Sequence, residues 1–150
     1  MIRKLNLKDK DTVKTVLELQ IDSYKIEAEI IGFYEIPPLK DTVDSLKKCE
    51  EIFYGYFIEN DLVGIVSYKI IQTVLDIHRL AVNPCFFKRG IAGLLLDHVE
   101  GLENVINKIV VCTGKMNIPA VKLYLKKGYK RMKDIEVSKG IYITEFEKIL

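Results

Sequence analysis

Cysteine is scarce in this chain: only Cys49, Cys85 and Cys112 occur among its 150 residues. An odd number of widely spaced thiols forms neither a disulfide framework nor the paired spacing of a zinc site. No apolar run reaches the roughly 18 residues of a membrane helix, and the first residues lack the apolar stretch of a secretory signal. We therefore expect a cytoplasmic protein that uses no metal and no membrane.

An excess of charge of one sign is also lacking, because 23 lysines and arginines stand against 21 aspartates and glutamates. Such a balance does not provide the basic field that sequence-independent nucleic-acid binding needs. Apolar residues make up 49% of the chain, enough to enclose a core at this length. We expect one domain over residues 1–150, with no nucleic-acid partner and with a homodimer left open.

The apolar pattern changes between strand and helix periods along the chain. A strand near Ile2, a helix from about Thr12 to Gly32 and a proline-containing loop precede a second helix that starts at Asp41 or Thr42. Strands follow at 52–59, 62–71 and 73–82, with Asn60 and Asp61 in the first turn, then a helix from Gly90, a strand at 106–112, a helix at 119–127 and strands at 129–137 and 141–146. This order predicts an α/β sheet with helices on both faces, antiparallel at first and parallel around the helix from Gly90.

The strand at residues 73–82 departs from simple alternation. Ile77, Leu80 and Val82 are expected to face the core, yet the first two are three positions apart. One extra residue near His78 or Arg79, a β-bulge, restores them to one face and bends the strand away from its neighbour. The bend predicts a cleft with free backbone amides near Leu80 and Val82, although an irregular edge strand without function explains the same pattern.

A glycine-containing turn at a helix start follows this strand. Its last six residues are Lys88, Arg89, Gly90, Ile91, Ala92 and Gly93. The unpaired amides of a first helical turn and the helix dipole favour an anion at this place, and Gly90 lets the backbone approach it closely. The glycines match neither the dinucleotide-binding fingerprint nor the P-loop.

A second helix start lies at residues 117–129. Asn117 can cap the helix, Ala120 and Tyr124 fall on one face of it, and Gly128 is placed to end it. Taken alone, Tyr124 is more typical of a core aromatic than of a catalytic residue.

These segments together resemble the GNAT N-acetyltransferase superfamily. Gly90 and Ala92 match its loop pattern Q/R-x-x-G-x-G/A, in which Phe87 replaces the first residue, and residues 117–129 match N-x-x-A-x-x-L-Y-x-x-x-G-F/Y at every position. The resemblance implies a GNAT-type mixed central sheet with splayed fourth and fifth strands and flanking helices. It implies acetyl-CoA as cosubstrate, bound by Leu80, Ala81, Val82, the six residues from Lys88 to Gly93, Asn117, Ala120 and Tyr124.

The activity implied is direct transfer of an acetyl group to a primary amine. By the resemblance, a backbone amide near Leu80 binds the thioester carbonyl and the Tyr124 hydroxyl protonates the leaving thiolate. His78 is our candidate base, because the ordinary pKa of histidine, about 6.5, suits proton transfer near neutral pH. The alternative is that His78 only forms hydrogen bonds on the sheet, and Asp76 and Glu35 are the other candidate bases. Cys112, on a strand expected to be buried, is not expected to carry the acetyl group.

The acceptor is expected at the segment that matches the family least, residues 24–39. Its aromatic and acidic side chains suit a cationic amine on a small molecule or peptide, and equally a solvated helix and loop; they are Tyr24, Glu27, Phe33, Tyr34 and Glu35. The alternative function is a non-catalytic acyl-CoA-binding or regulatory GNAT-like module, which Phe87 and the unassigned base leave open.

Overall fold

The computed structural model describes residues 1–102 and 105–150, and its elements follow the predicted order. They are β1 (Ile2–Leu5), α1 (Lys10–Ile31), a 3₁₀ turn (Pro37–Lys40), α2 (Val43–Lys48), β2 (Ile52–Ile58), β3 (Asp61–Ile71), β4 (Val74–Val82), a second 3₁₀ turn (Pro84–Phe86), α3 (Ile91–Glu100), β5 (Lys108–Gly114), α4 (Ile118–Lys126), β6 (Lys130–Ser138) and β7 (Ile141–Ile149). The first hairpin turn is one residue earlier than predicted, because Asp61 already pairs with Ile58.

Local residues cap the helices that contribute to the site. Asp9 accepts a hydrogen bond from the Thr12 amide at the start of α1, and Asn117 accepts one from the Ala120 amide at the start of α4. Gly32 ends α1 in the left-handed conformation, with a φ of 69°. The starts and the end of these helices therefore follow from local sequence signals.

One mixed sheet contains all seven strands, in the order β1-β2-β3-β4-β5-β7-β6. Neighbouring strands are antiparallel except β4 and β5, which are parallel and are connected through α3. This agrees with the predicted change from antiparallel to parallel pairing, since two parallel strands need a crossover connection such as α3.

Each face of the sheet carries a hydrophobic core. On one face, α1 and α2 bury Val13, Val16, Leu19 and Leu46 against Phe53, Ile65 and Ala81. On the other face, α3 and α4 bury Ile91, Leu95, Leu96, Val99 and Val121 against Ile77, Val82, Val111 and Phe146. Leu94 is 46% exposed, because the buried stripe of α3 runs through Leu95 and Leu96.

The predicted β-bulge is confirmed at His78. Ser67 of β3 pairs with Arg79 and the next residue, Tyr68, pairs with Ile77, so His78 has no partner in the register. Beyond the bulge Val82 and the half-buried Leu80 contact the core beneath α3 and α4. β4 pairs with β5 only over its first four residues, Val74 to Ile77. The two strands then separate and leave an opening between residues 78–82 of β4 and residues 112–114 of β5.

Candidate active site

Helix α1 crosses this opening and contacts both of its sides. Tyr24 and Glu27 lie one turn apart on the same face of α1. The Tyr24 hydroxyl accepts a hydrogen bond of 3.2 Å from the Leu80 amide of β4. The Leu80 amide therefore points away from β3 and into the opening, as the bulge predicted.

Glu27 contacts the opposite side, formed by β5 and α4. Its Oε1 accepts hydrogen bonds from Asn117 Nδ2 at 2.6 Å and from Thr113 Oγ1 at 3.1 Å. Burial raises the pKa of the Glu27 carboxyl above its usual value, and these two hydrogen bonds only partly oppose the increase. The carboxyl is thus fixed in place and more basic than an exposed glutamate.

Tyr124 of α4 is 4% exposed and packs its ring against Tyr129 and Phe146, with ring centroids 5.6 and 5.3 Å away. Within the described residues its hydroxyl has no hydrogen-bond partner. Burial and the nearby Tyr24 and Glu27 raise the pKa of Tyr124 well above its usual value, so the hydroxyl keeps its proton at neutral pH. The ring is part of the core while the hydroxyl is available to donate.

The loop before α3 has the open geometry expected of an anion site. Lys88 and Gly90 adopt left-handed conformations with φ of 64° and 79°, and no side chain caps the helix. The first helical bond joins the Leu94 amide to the Gly90 carbonyl, so the amides of residues 91–93 precede it. Lys88 and Arg89 are exposed, and a Cβ added at Gly90 would meet nothing within 4 Å.

His78 belongs to a charged network on the α1 side of the sheet. Its Nδ1 lies 3.4 Å from Glu51 Oε2 and its Nε2 lies 3.4 Å from Asp76 Oδ2. Glu51 and Asp41 also hold the buried Arg79 guanidinium, Asp41 at 2.9 Å. Together with Pro37 and Pro38, His78, Arg79, Asp41 and Glu51 line a cavity of about 140 Å³. His78 therefore lies beside the α1–α2 loop, with each ring nitrogen near a carboxylate oxygen.

The remaining predicted acceptor residues are not brought to the opening. Tyr34 is 62% exposed. Glu35 forms an ion pair with Lys40 inside the same exposed loop. Phe33 is half-buried, and its amide donates to Ala28 at the end of α1. Of the five residues proposed for the acceptor, Tyr24 and Glu27 form hydrogen bonds to β4, β5 or α4, and no such bond is found for the other three within the described residues.

The prediction that Cys112 is buried is wrong. Its side chain lies on the open face of β5 and is exposed, because α1 covers β2, β3 and β4 on this face. Partial burial and the charges of Glu145 and Asp76 raise the pKa of the thiol, which keeps it protonated and a weak nucleophile. That Cys112 carries no acetyl group stays a prediction, which now depends on the raised pKa of the thiol and not on burial of the whole side chain.

Sequence reasoning missed Thr113 and the network around Arg79. Thr113 holds Glu27, and Arg79 joins three separate segments, yet neither residue belongs to a recognisable pattern. Among residues 1–102 and 105–150 there is no group of three His, Cys, Asp or Glu side chains that could hold a metal ion. None of the helices in these residues has the length and apolar character to cross a membrane.

Comparison with known proteins identifies the family. The profile of the Acetyltransferase (GNAT) family matches residues 13–129, so the chain belongs to the GNAT acetyltransferase family. The UPF0157 protein YqkA of Bacillus subtilis (strain 168) is 35% identical over 146 residues, which are 97% of this chain and 43% of YqkA. The chain therefore spans less than half the length of that relative.

One further relative and one solved structure resemble the chain over nearly all of its length. Spermidine N(1)-acetyltransferase of Thermoplasma acidophilum is 26% identical, and the match covers 97% of both chains. The crystal structure of PaiA N-acetyltransferase from Thermoplasma acidophilum in complex with coenzyme A has a TM-score of 0.73 at 24% identity, covering 97% of this chain and 96% of that one. The expected GNAT-type sheet with splayed β4 and β5 is confirmed.

Proposed function

We propose that the chain transfers the acetyl group of acetyl-CoA to a primary amine at the opening between β4 and β5. The observation that carries this proposal is the pair of groups at the opening: the Leu80 amide, directed into it, and the Tyr124 hydroxyl, which has no partner in the described residues. The first would bind the thioester carbonyl and the second would protonate the departing sulfur. The reaction is direct and uses no acetyl-cysteine.

Acetyl-CoA would extend along β4 to the loop before α3. Its pantetheine arm lies beside residues 80–82, and its pyrophosphate lies against residues 88–93, where the open amides and two cationic side chains favour an anion. A relative of the same fold whose crystal structure contains coenzyme A supports this cosubstrate. Asn117 and Ala120 contribute by starting α4, which positions Tyr124.

The acceptor in this proposal is a cationic amine, for which a polyamine is the first candidate. Tyr24 and Glu27 place an aromatic ring and a carboxylate at the opening, and such groups favour an ammonium group. A relative named as a spermidine N(1)-acetyltransferase supports the same class of acceptor.

A screen of amines with acetyl-CoA tests the function. Thiol release is measured with spermidine, with an aminoglycoside and with a peptide that has a free N-terminus, and coenzyme A binding is measured by calorimetry. Amine-dependent thiol release is expected. Tight binding of coenzyme A without release for any amine would favour the non-catalytic module that Phe87 leaves open, and no binding at all would overturn both functions.

A further inference from the structure

The two carboxylate oxygens of Glu27 differ: Oε1 accepts hydrogen bonds from the protein, and Oε2 accepts none from the described residues. Asn117 Nδ2 and Thr113 Oγ1 both donate to Oε1. No described side chain or amide donates to Oε2, and protein atoms do not fully enclose this oxygen. Donors on β5 and at the start of α4 thus fix the direction of the carboxylate while Oε2 keeps its lone pairs.

Glu27 shares the opening with the groups proposed for the acetyl transfer. Its charge raises the pKa of Tyr24, whose hydroxyl contacts the Leu80 amide, and the pKa of Tyr124, after the larger effect of burial in each case. The hydrogen bonds support this placement: Tyr24, one turn from Glu27 on α1, contacts the Leu80 amide, and Glu27 contacts Asn117, which starts the helix that carries Tyr124. The opening thus offers a backbone amide, a hydroxyl that can donate and a carboxylate oxygen that can accept.

Acetyl transfer to an ammonium group needs such a proton acceptor, because a protonated nitrogen has no lone pair with which to attack the thioester. We infer that Glu27, through Oε2, is the residue that removes the proton from the acceptor ammonium. This inference rests on the proposed function.

The protons and bonds balance in this scheme. Glu27 takes one proton from the ammonium group, and the neutral nitrogen forms a bond to the thioester carbon. The carbon–sulfur bond then breaks, and Tyr124 protonates the sulfur. The second proton lost by the nitrogen restores the Tyr124 hydroxyl, and the proton on Glu27 leaves to solvent, which gives an amide, a thiol and one released proton.

His78, the base predicted from the sequence, is less suited to this role. Its ring nitrogens lie 3.4 Å from carboxylate oxygens of Glu51 and Asp76, in the cavity beside Pro37 and Pro38. No hydrogen bond among the described residues connects His78 with the groups at the opening. Glu27 instead has a free oxygen, and its burial favours the protonated form that a base must reach.

The titratable groups around Glu27 decide how its pH profile is interpreted. Tyr24 lies on its own helix, Tyr124 on α4, Cys112 on β5 near Tyr124, and Arg79 and Glu51 act on Tyr24. The tyrosines and the thiol stay neutral below pH 8 because the pKa of each is raised. An acidic limb in kcat/KM that belongs to the opening is therefore assigned to Glu27.

The test is Glu27→Gln, which retains an oxygen that can accept from Asn117 and Thr113 but removes the basicity. With spermidine, or with the best amine of the screen, kcat/KM at pH 7 should fall by roughly 10²- to 10⁴-fold, the range for a general base. The deficit should shrink as the pH rises towards the pKa of the amine, which then arrives neutral. The acidic limb of the wild type should disappear, and the Kd of acetyl-CoA measured by calorimetry should stay the same.

Glu18→Gln is the matched control, because Glu18 is an exposed glutamate on the same helix; its pH profile should equal that of the wild type. A wild-type pH profile in Glu27→Gln, or removal of the acidic limb by His78→Ala instead, would overturn the inference. Loss of acetyl-CoA affinity and thermal stability in parallel with activity would show that Glu27 is structural. If the wild type acetylates no amine, the proposed function fails, and the inference fails with it.

Discussion

The role of the Tyr124 hydroxyl can be tested apart from the packing of its ring, because the ring packs in the core while the hydroxyl has no partner in the described residues. Tyr124→Phe should lower kcat by roughly 10²- to 10⁴-fold and leave the affinity for acetyl-CoA unchanged. Steady-state kinetics and calorimetry measure the two effects. Tyr129→Phe is the control, since the Tyr129 hydroxyl donates to Glu100 and the ring lies in the same cluster. Equal kcat in Tyr124→Phe and the wild type would contradict the role.

The Tyr24 hydroxyl accepts the hydrogen bond of the Leu80 amide, which in the proposed function would donate to the acetyl carbonyl. Binding of acetyl-CoA must then break the hydrogen bond from Leu80 to the Tyr24 hydroxyl, whereas coenzyme A, which has no acetyl carbonyl, need not break it. Tyr24→Phe should therefore tighten acetyl-CoA binding by about 2- to 10-fold, corresponding to the ~0.5–1.5 kcal/mol net value of one hydrogen bond.

Coenzyme A itself is the matched ligand for this measurement. Its Kd should be the same in Tyr24→Phe and in the wild type, because neither complex needs the Leu80 amide for a carbonyl. Equal changes for both ligands would show that Tyr24 affects the fold of the opening and does not compete with the acetyl group.

Helices, strands and the β-bulge were predictable because each depends on residues close in sequence. The bulge at His78 followed from the spacing of Ile77 and Leu80, and the start of α4 followed from Asn117. The contacts of the opening were not predictable in the same way. Tyr24 and Leu80 are 56 residues apart and Glu27 and Asn117 are 90 apart, so only the packing of α1 across the sheet brings them together. A hydrophobic pattern determines which face of α1 is buried, but it does not determine which strand a polar residue on that face will contact.

The loop before α3 can be tested with a pair of glycines that share one conformation. Gly90 and Gly140 have φ of 79° and 77°, and a Cβ at either meets nothing within 4 Å. Valine at each position adds the same left-handed backbone strain, on the order of 1–2 kcal/mol. Gly90→Val should abolish coenzyme A binding in calorimetry, because the loop must change to relieve the strain, while Gly140→Val, in the β6–β7 turn, should bind normally.

The two valine variants should have similar stability in thermal unfolding, because each carries the same backbone strain. Unchanged affinity of Gly90→Val for coenzyme A would show that the pyrophosphate does not bind at residues 88–93. Lost affinity in both variants would show that the strain acts on the whole fold and not on the loop.

Arg79 connects three distant parts of the molecule: the loop before α2, the start of β2 and the bulged strand β4. Its guanidinium binds Asp41 and Glu51, and the three side chains are 10%, 13% and 6% exposed. Removal of one member of a buried ion pair leaves uncompensated charge and costs about 3–5 kcal/mol. Arg79→Met should therefore lower the free energy of unfolding by about that amount at pH 7, measured in urea. Lys48→Met is the control, because Lys48 and Asp44 are each 75% exposed, and such surface pairs contribute about 0.3–0.5 kcal/mol.

A sharper test is the pH dependence of the difference in unfolding free energy between Arg79→Met and the wild type. Burial alone would raise the pKa of Asp41, but hydrogen bonds from Arg79, Gln20 and Ser45 together lower it. A carboxyl with a lowered pKa in the folded state stabilises the protein above its unfolded pKa, and this contribution is lost as the pH falls through the folded pKa. In Arg79→Met the buried carboxyls lose their cation, so protonation at low pH removes the penalty that the variant carries at pH 7. The difference in unfolding free energy between wild type and Arg79→Met should narrow below about pH 4, near the usual pKa of aspartate; an equal difference at pH 7 and pH 3 would mean that the variant is destabilised by lost packing and not by unpaired charge.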